Sequence, residues 1–566
     1  MGFESCLKRI SNGDSFDPAE LVPYLLSETL TERTEINYQL AKAFVSARQY
    51  AKAKVFVERA WVFSDFSEKV LELYKLICES LNDFDALREA YKRIGIRYAK
   101  AGQISLSLAA FNSWQYVYAT HTHVDKYEYD MDILDAIETL AIPYILSSEA
   151  QEPSPTKERR LRLAYLVFGA AHENSVLVKI LATFAKYHDA QNFEVAFFVP
   201  EPYLSRVQKS KLSKLFESSD TKLYVASWSG EDDRLVRFAK QIQQFRPDIF
   251  VTAAGLADFE HYFLALLRPA PRVLSLLQGP PQQFTAQGFD HAISWSRHPL
   301  IDSPVNTSFI RLGVPLPESA QIAAISRQDL GLADGTVVLM SAGRYAKFQH
   351  PEFWHHLIDI LRVNPDTCYA VVGAEVSHVP FVLDFAHDLI KDRRILFLGW
   401  RKDCLNVLKQ ADILIDTYPS GGGHVLVDSM ALGKPIVSFA NDYLHAFDQT
   451  DWSVAEEFVD IPELILQRGD FAAFKNVVTK LITDKSFRKK MGEMCNQQVR
   501  LKMPSEKESV SSLESEYVRL QKIERVNAAS LERHDKRGSA IRRGNWVGNL
   551  SRYVKFFVKR LIKLFR

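Results

Sequence analysis

The stretch ADILIDTYPSGGGHVLVDSMALGKPIVSF carries the residue types and spacing best suited to gripping a phosphorylated ligand. An apolar strand ends at Asp416, and Pro419, Ser420, Gly421, Gly422, Gly423 and His424 then form a loop that opens a helix. Glycine lets a phosphate approach the backbone closely, and N–H groups at a helix start attract its charge. His424 adds a side-chain donor within the same loop. Asp428, one turn into the helix, is the wrong sign for phosphate, but its carboxylate suits the hydroxyls of a ribose. MALGKPIVSF then reads as the end of that helix, a cap at Gly433, and Pro435 leading the next strand.

Such a loop needs a sheet to hold it, and the flanking sequence predicts one. Near-continuous apolar runs alternate with helical stretches: LRLAYLVFG, FEVAFFVP, KLYVAS, PDIFVTAAG, RVLSLLQG and HAISW, then TVVLMSAG, TCYAVVG, RILFLGW, ADILIDTYP and PIVSF. Runs of this kind are strands of parallel sheets covered by helices on both faces. Two series mean two doubly wound α/β lobes, over residues 161–325 and 326–527, the second ending in charged closing helices with no core pattern of their own. Ligands in such sheets lie beyond the carboxyl ends of the strands.

Residues 1–150 read as amphipathic helices. Similar segments begin at Gln49-Tyr50 and Asp83-Phe84, 34 residues apart as in tetratricopeptide repeats, but the next, at Gln103-Ile104, follows after 20, so the repeat is degenerate. Residues 151–160, polar with two prolines, form a linker. In the tail, 528–566, Leu550, Tyr553, Val554, Phe557, Val558, Leu561 and Phe565 share one helical face, and Arg552, Lys555, Lys559, Lys563 and Arg566 another. That pattern predicts a basic amphipathic helix lying on an anionic membrane surface.

Charge and cysteines narrow the function classes. From Asp535 onward ten Lys or Arg face one Asp, so a formal net charge of +1 leaves the body mildly acidic and gives no reason to expect a nucleic-acid partner. The five cysteines are scattered without metal-ligand spacing, which argues against structural zinc and a disulfide framework. With no secretory leader pattern and no long apolar run, the expected setting is cytoplasmic, peripheral to the inner membrane face through the tail.

The Asp416–Phe439 stretch resembles the nucleotide-sugar site of GT-B glycosyltransferases, and its loop is most similar to family 41, which holds protein O-GlcNAc transferases and bacterial adhesin N-glucosyltransferases. In both groups a strand-ending aspartate precedes the ribose-binding one by twelve positions, as Asp416 precedes Asp428. The resemblance extends across roughly residues 160–447 and implies further roles. SAGRYAKFQHPEFW is similar to the segment whose lysine reaches the diphosphate, making Lys347 that residue with Arg344 assisting. Arg401 stands where the family has a basic residue near the nucleotide, while Cys404 replaces a family histidine. RPAPRVLSLLQGPPQQF is similar to the strand and loop that place Gln278, Gly279 and Pro280 at the acceptor and sugar cleft, although Gln282 and Gln283 replace small hydroxyl residues. His172, in LRLAYLVFGAAHENS, corresponds to a histidine near the acceptor.

The expectation is a GT-B enzyme, with an all-α helical-repeat-like domain before it and a basic amphipathic helix after it. It moves a hexose or N-acetylhexosamine from a UDP-sugar to a protein side chain, with no metal and no cofactor. The oligomeric state stays open. Other readings are transfer to a glycan or lipid-linked acceptor at the cytoplasmic membrane face, a catalytically inactive nucleotide-binding scaffold, and a UDP-sugar epimerase.

Overall fold

The computed structural model describes residues 2–15, 17–26, 29–65, 67–122, 130–146, 159–168, 175–200, 204–218, 220–226, 232–253, 258–277, 288–295, 307–323, 325–441 and 453–522. His172, Gln278, Gly279, Pro280, most of the linker and the basic tail lie outside the described residues.

The chain divides into two compact units, Met1–Pro143 with Glu231–Asp233, and Tyr144–Gly230 with Arg234–Arg566. The first is helical. Its principal helices are Leu30–Ser46, Tyr50–Phe63, Glu68–Leu81, Phe84–Lys100, Ile104–Val117 and Met131–Ala141. The three similar segments seen in the sequence all mark helix starts, with Gln49, Asp83 and Gln103 at the N-caps. Asp83 accepts a hydrogen bond from the Ala86 amide at 3.2 Å, satisfying one of the donors that every helix start leaves open. Leu40, Phe44, Val57, Trp61 and Ile77 form this unit's core.

Among the described residues of the second unit the eleven apolar runs become strands, and with two short edge strands they make thirteen, in two wholly parallel sheets. The first sheet holds β1 (Leu161–Leu166), β2 (Phe193–Val199), β3 (Thr221–Val225), β4 (Ile249–Thr252), β5 (Arg272–Leu277), β6 (His291–Ser294) and β7 (Thr307–Phe309), in the order β3-β2-β1-β4-β5-β6-β7. The second holds β8 (Val337–Ala342), β9 (Thr367–Val372), β10 (Ile395–Phe397), β11 (Ile413–Ile415), β12 (Ile436–Phe439) and β13 (Ile465–Leu466), in the order β10-β9-β8-β11-β12-β13. Each sheet therefore reverses direction once, between β1 and β4 and between β8 and β11, and those crevices are where a doubly wound sheet binds ligands. The edge strands β7 and β13 have three and two residues, too few to show a periodicity.

Three helices border the sheets where ligands would sit or hold the lobes in place: α1 (Val176–Tyr187), α2 (His424–Ala431) and α3 (Glu506–Gln521). α3, placed in the second lobe by the sequence, packs on the first. Buried Val510, Leu513, Tyr517 and Leu520 lie at helical spacing along it. The Tyr165 and Tyr517 hydroxyls are 3.1 Å apart, Tyr165 Oη lies 2.8 Å from His188 Nε2, and His188 Nδ1 is 2.9 Å from Glu514. Thr183 on α1 donates to Glu506 at 2.9 Å. Where the chain crosses between lobes, the Gly313 amide donates to Ser509 at 2.5 Å. Among the described residues no helix is long and apolar enough to cross a membrane.

Candidate nucleotide site

Two loops meet at the second sheet's reversal point. After β8 the chain passes Gly343 and an extended Arg344 into the 3-10 turn Tyr345–Phe348, which presents Lys347. The Trp354 indole N–H fixes the turn by donating to the Phe348 carbonyl at 2.8 Å. From there Lys347 Nζ donates to the Gly421 carbonyl at 2.7 Å, so the ammonium touches the glycine loop after β11. Loss of hydration at this depth, aided by the like charge of Arg344, pushes the Lys347 pKa down to about 8 despite the opposing pull of Asp416.

Asp416 is buried and serves as the strut of that loop. One carboxylate oxygen accepts from the Gly422 amide at 2.6 Å and the Thr417 amide at 2.8 Å. The other accepts from the Ser438 hydroxyl at 2.6 Å and the Ser453 hydroxyl at 2.5 Å. Burial raises its pKa, and the Ser438 and Ser453 hydroxyls, the Gly422 amide and Lys347 oppose that rise. The Val454 amide donates to the Gly422 carbonyl at 3.1 Å, so the chain returning after β12 closes over the loop. Tyr418 anchors its start, against Phe439 and Phe471 with ring centroids 5.0 and 5.4 Å away, while Arg468 donates to the Pro419 carbonyl at 3.0 Å.

The glycines of the loop have different reasons to be glycine. A Cβ on Gly421 would lie 2.4 Å from Ser453 Cβ, and one on Gly422 would lie 2.9 Å from Leu426 Cγ. Those two are demanded by the protein's own packing. A Cβ on Gly423 meets nothing within 4 Å, so the open face of the loop is there, at the N-cap of α2, where no side chain caps the helix.

His424 and Asp428, one turn apart on α2, approach to 3.9 Å. Burial pushes the His424 pKa down to about 4 and that of Asp428 up to about 7. Lys179 on α1 adds its charge to both, depressing His424 further and restraining the rise of Asp428. The first lobe thus supplies a cation to a site that the sequence placed wholly in the second. Lys179 sits in VLVKILATFAKY and carries no local mark of this role.

The structure therefore joins Lys347, Arg344, Asp416 and the Gly421–Gly423 loop, with His424 and Asp428 following on α2. Arg401, beyond β10, makes a bidentate pair with Asp403 at 2.9 and 2.7 Å. Cys404, in the position of a family histidine, keeps a thiol whose pKa is pushed up to about 11, first by burial and then by the charges of Asp428 and Asp403.

No family model matches the chain. The UDP-Gal:alpha-D-GlcNAc-diphosphoundecaprenol alpha-1,3-galactosyltransferase of Escherichia coli is 26% identical over 194 residues, which are 32% of this chain and 46% of that protein, so less than half of the relative's length is matched. Among solved structures, a mutant of the Thermobaculum terrenum O-GlcNAc transferase superposes with a TM-score of 0.58 at 15% identity, covering 92% of this chain and 98% of that one. Anabaena Alr3699/HepE in complex with UDP and glucose gives a TM-score of 0.46 at 16% identity, covering 63% of this chain and 99% of that one. The chain has a GT-B fold and resembles glycosyltransferases of the family 41, O-GlcNAc transferase type.

Proposed function

We propose that the chain is a glycosyltransferase that moves a hexose or N-acetylhexosamine from a UDP-sugar to a protein side chain without a metal ion. The observation that carries this reading is the convergence of Lys347 on the Gly421 carbonyl, beside the uncapped start of α2 and Asp428. A diphosphate placed there meets the Lys347 ammonium and the amides following Gly423, while Asp428 receives the ribose hydroxyls. Charge accumulates on the leaving diphosphate as the sugar departs, and a preorganised cation and amide dipoles stabilise it most at that point. Arg344 adds positive charge beside Lys347, and Arg401, paired with Asp403, is assigned to the nucleotide side. His172, with Gln278, Gly279 and Pro280, is assigned to the acceptor side.

A second reading, transfer to a glycan or lipid-linked acceptor, draws support from the E. coli relative, whose name specifies a diphosphoundecaprenol-linked acceptor. The purified chain, incubated with a panel of UDP-sugars and host-cell lysate, separates the two by mass spectrometry of the labelled product. Labelled protein is expected; label confined to lipid-linked glycan selects the second reading, and no turnover of any UDP-sugar leaves a binding scaffold. Activity abolished by EDTA and restored by Mn²⁺ refutes the metal-free step. Deleting residues after Gly544 tests the membrane role of the tail: membrane association is expected to be lost while activity on a soluble protein acceptor survives.

A further inference from the structure

We propose that α3 is an acid-released clasp: His188 and His291, two buried histidines of the first lobe, hold it through Glu514 and Glu516, and their protonation frees the helix. The clasp stands on its own contacts; only its link to UDP, tested last, rests on the proposed nucleotide site. The chain enters α3 from the second lobe and α3 packs on the first, so a hold on α3 is a hold of one lobe on the other. The His188 and His291 side chains are 2% and 8% exposed, and Glu514 and Glu516 opposite them 13% and 12%, so neither ring takes up a proton in contact with bulk water.

His188 caps the end of α1, with Glu514 2.9 Å from Nδ1 and the Tyr165 hydroxyl 2.8 Å from Nε2. A carboxylate only accepts, so Nδ1 carries the proton and Nε2 of the neutral ring accepts from Tyr165. The same Glu514 oxygen accepts from the Asp189 amide at 2.7 Å. His291, at the start of β6, has Nε2 2.7 Å from Ser308 Oγ and 3.4 Å from Glu516. Ser308 gives its hydroxyl proton to Glu516, so its oxygen accepts from His291 Nε2–H. Arg519 pairs with Glu516 at 2.7 and 2.6 Å. Among the described residues, the charged and titratable groups facing the two rings are thus Glu514, Tyr165 and, behind it, Tyr517 for His188, and Glu516 and Arg519 for His291. Their acidic sequence neighbours are engaged elsewhere: Asp189 accepts from the Asn192 side chain at 2.6 Å and Asp290 from Arg268 at 2.7 Å.

Each ring is therefore held as a neutral donor. A further proton at His188 falls on Nε2, turns the Tyr165 contact round and leaves a charge in the core; at His291 it meets the charge of the Arg519 guanidinium. Burial outweighs the pull of Glu514 and of Glu516, and both histidines keep a pKa below the usual 6.5. Freed from α3 the rings regain water and their ordinary basicity, so protons favour the released helix as the pH falls below 6.5. Between about pH 7.5 and 5.5 each histidine shifts the ratio of held to released helix by up to about tenfold, and the two together by up to about a hundredfold. α1 carries the release toward the candidate site. His188 ends it, Thr183 within it donates to Glu506 of α3 at 2.9 Å, and Lys179 near its start bears on Asp428 and His424.

Hydrogen–deuterium exchange of the full chain, read by mass spectrometry at about pH 7.5 and 5.5 and corrected for the intrinsic pH dependence of exchange, measures the release. Peptides from residues 506–521 are expected to lose up to about a hundredfold in protection on acidification, while those from β8 and β9 keep theirs. The H188N/H291Q variant keeps an amide donor at each position without a titrating ring, and its α3 protection should be the same at both pH values. H188N and H291Q alone, available should the double variant fail to fold, should each remove about tenfold of the response. Unchanged α3 protection in the wild type overturns the proposal. So does a loss shared equally by β8 and β9, which is global unfolding, and so does a full response that survives in the variants. Saturating UDP at about pH 5.5 is expected to restore part of the α3 protection, because a ligand drawing on both Lys179 and Asp428 favours the held form. UDP that binds without changing α3 breaks the link to the nucleotide site and leaves the clasp. Failure to bind UDP removes the nucleotide site, and the exchange of α3 still decides the clasp.

Discussion

The free site holds an acid and a base whose pKa values lie about one unit apart, Asp428 at about 7 and Lys347 at about 8, and this makes UDP affinity a narrow function of pH. In the proposed site ribose hydroxyls bind the ionised Asp428 carboxylate more strongly than the neutral acid, so affinity is expected to rise with pH until about 7. In the proposed site the Lys347 ammonium is the positive charge lost near about 8, so affinity is expected to fall above that pH. At about pH 7.5 the fraction of protein in the competent state, with both groups charged, is about 0.6; two units lower or higher it is about 0.03, each pKa unit being a factor of ten. Calorimetric titration at constant ionic strength should therefore show affinity weaker, by up to about twentyfold, at about pH 5.5 and at about pH 9.5 than at the maximum. The ligand's own terminal phosphate titrates near about 6, and variants separate its contribution. D428N should remove the change between about pH 6.5 and 7.5, K347M should flatten the alkaline limb, and uridine should show the acid limb alone. K179M should move the acid limb to higher pH, because the Lys179 charge restrains the pKa of Asp428. A wild-type profile that is flat from about pH 5.5 to 9.5 would falsify the pairing, and so would a D428N profile that keeps the wild-type acid limb.

Other consequences concern turnover and stability. K347M should lower kcat by about 10²–10³ when measured well below its own Tm, the cost of removing one preorganised donor from a developing anion; equal kcat removes Lys347 from that role. G421A places a methyl 2.4 Å from Ser453 Cβ beside the Asp416 strut, and overpacking should destabilise the second unit by about 1–3 kcal/mol, read as a lower Tm. Y517F removes one hydroxyl from the buried Tyr165–His188–Glu514 chain and should cost about 1 kcal/mol; an unchanged Tm would show that α3 is not held through that contact. Burial lowers the His188 pKa below its usual 6.5, so the unfolded chain takes up the proton first as pH falls. Its contribution to stability is therefore full above 6.5 and lost progressively below it, and H188N should show a shallower fall in Tm between about pH 7.5 and 5.5.

Much of this molecule is legible along the chain because its signals are local. Eleven of the strands are apolar runs long enough to register, and the Asp416–Asp428 interval spans one strand, one turn and the start of one helix, so its residues are positioned by their own neighbours. Gly421 to Gly423 could be recognised as a loop, but not that two of them answer to Ser453 and Leu426 while only Gly423 opens outward. Tertiary structure alone decided the rest. Lys179 lies far from Asp428 in sequence and acts on it only because the first lobe brings α1 to the second. Buried residues at helical spacing secure α3 within a helix whose charged residues conceal them. Sheet order is set by long-range parallel pairing that a linear pattern does not encode.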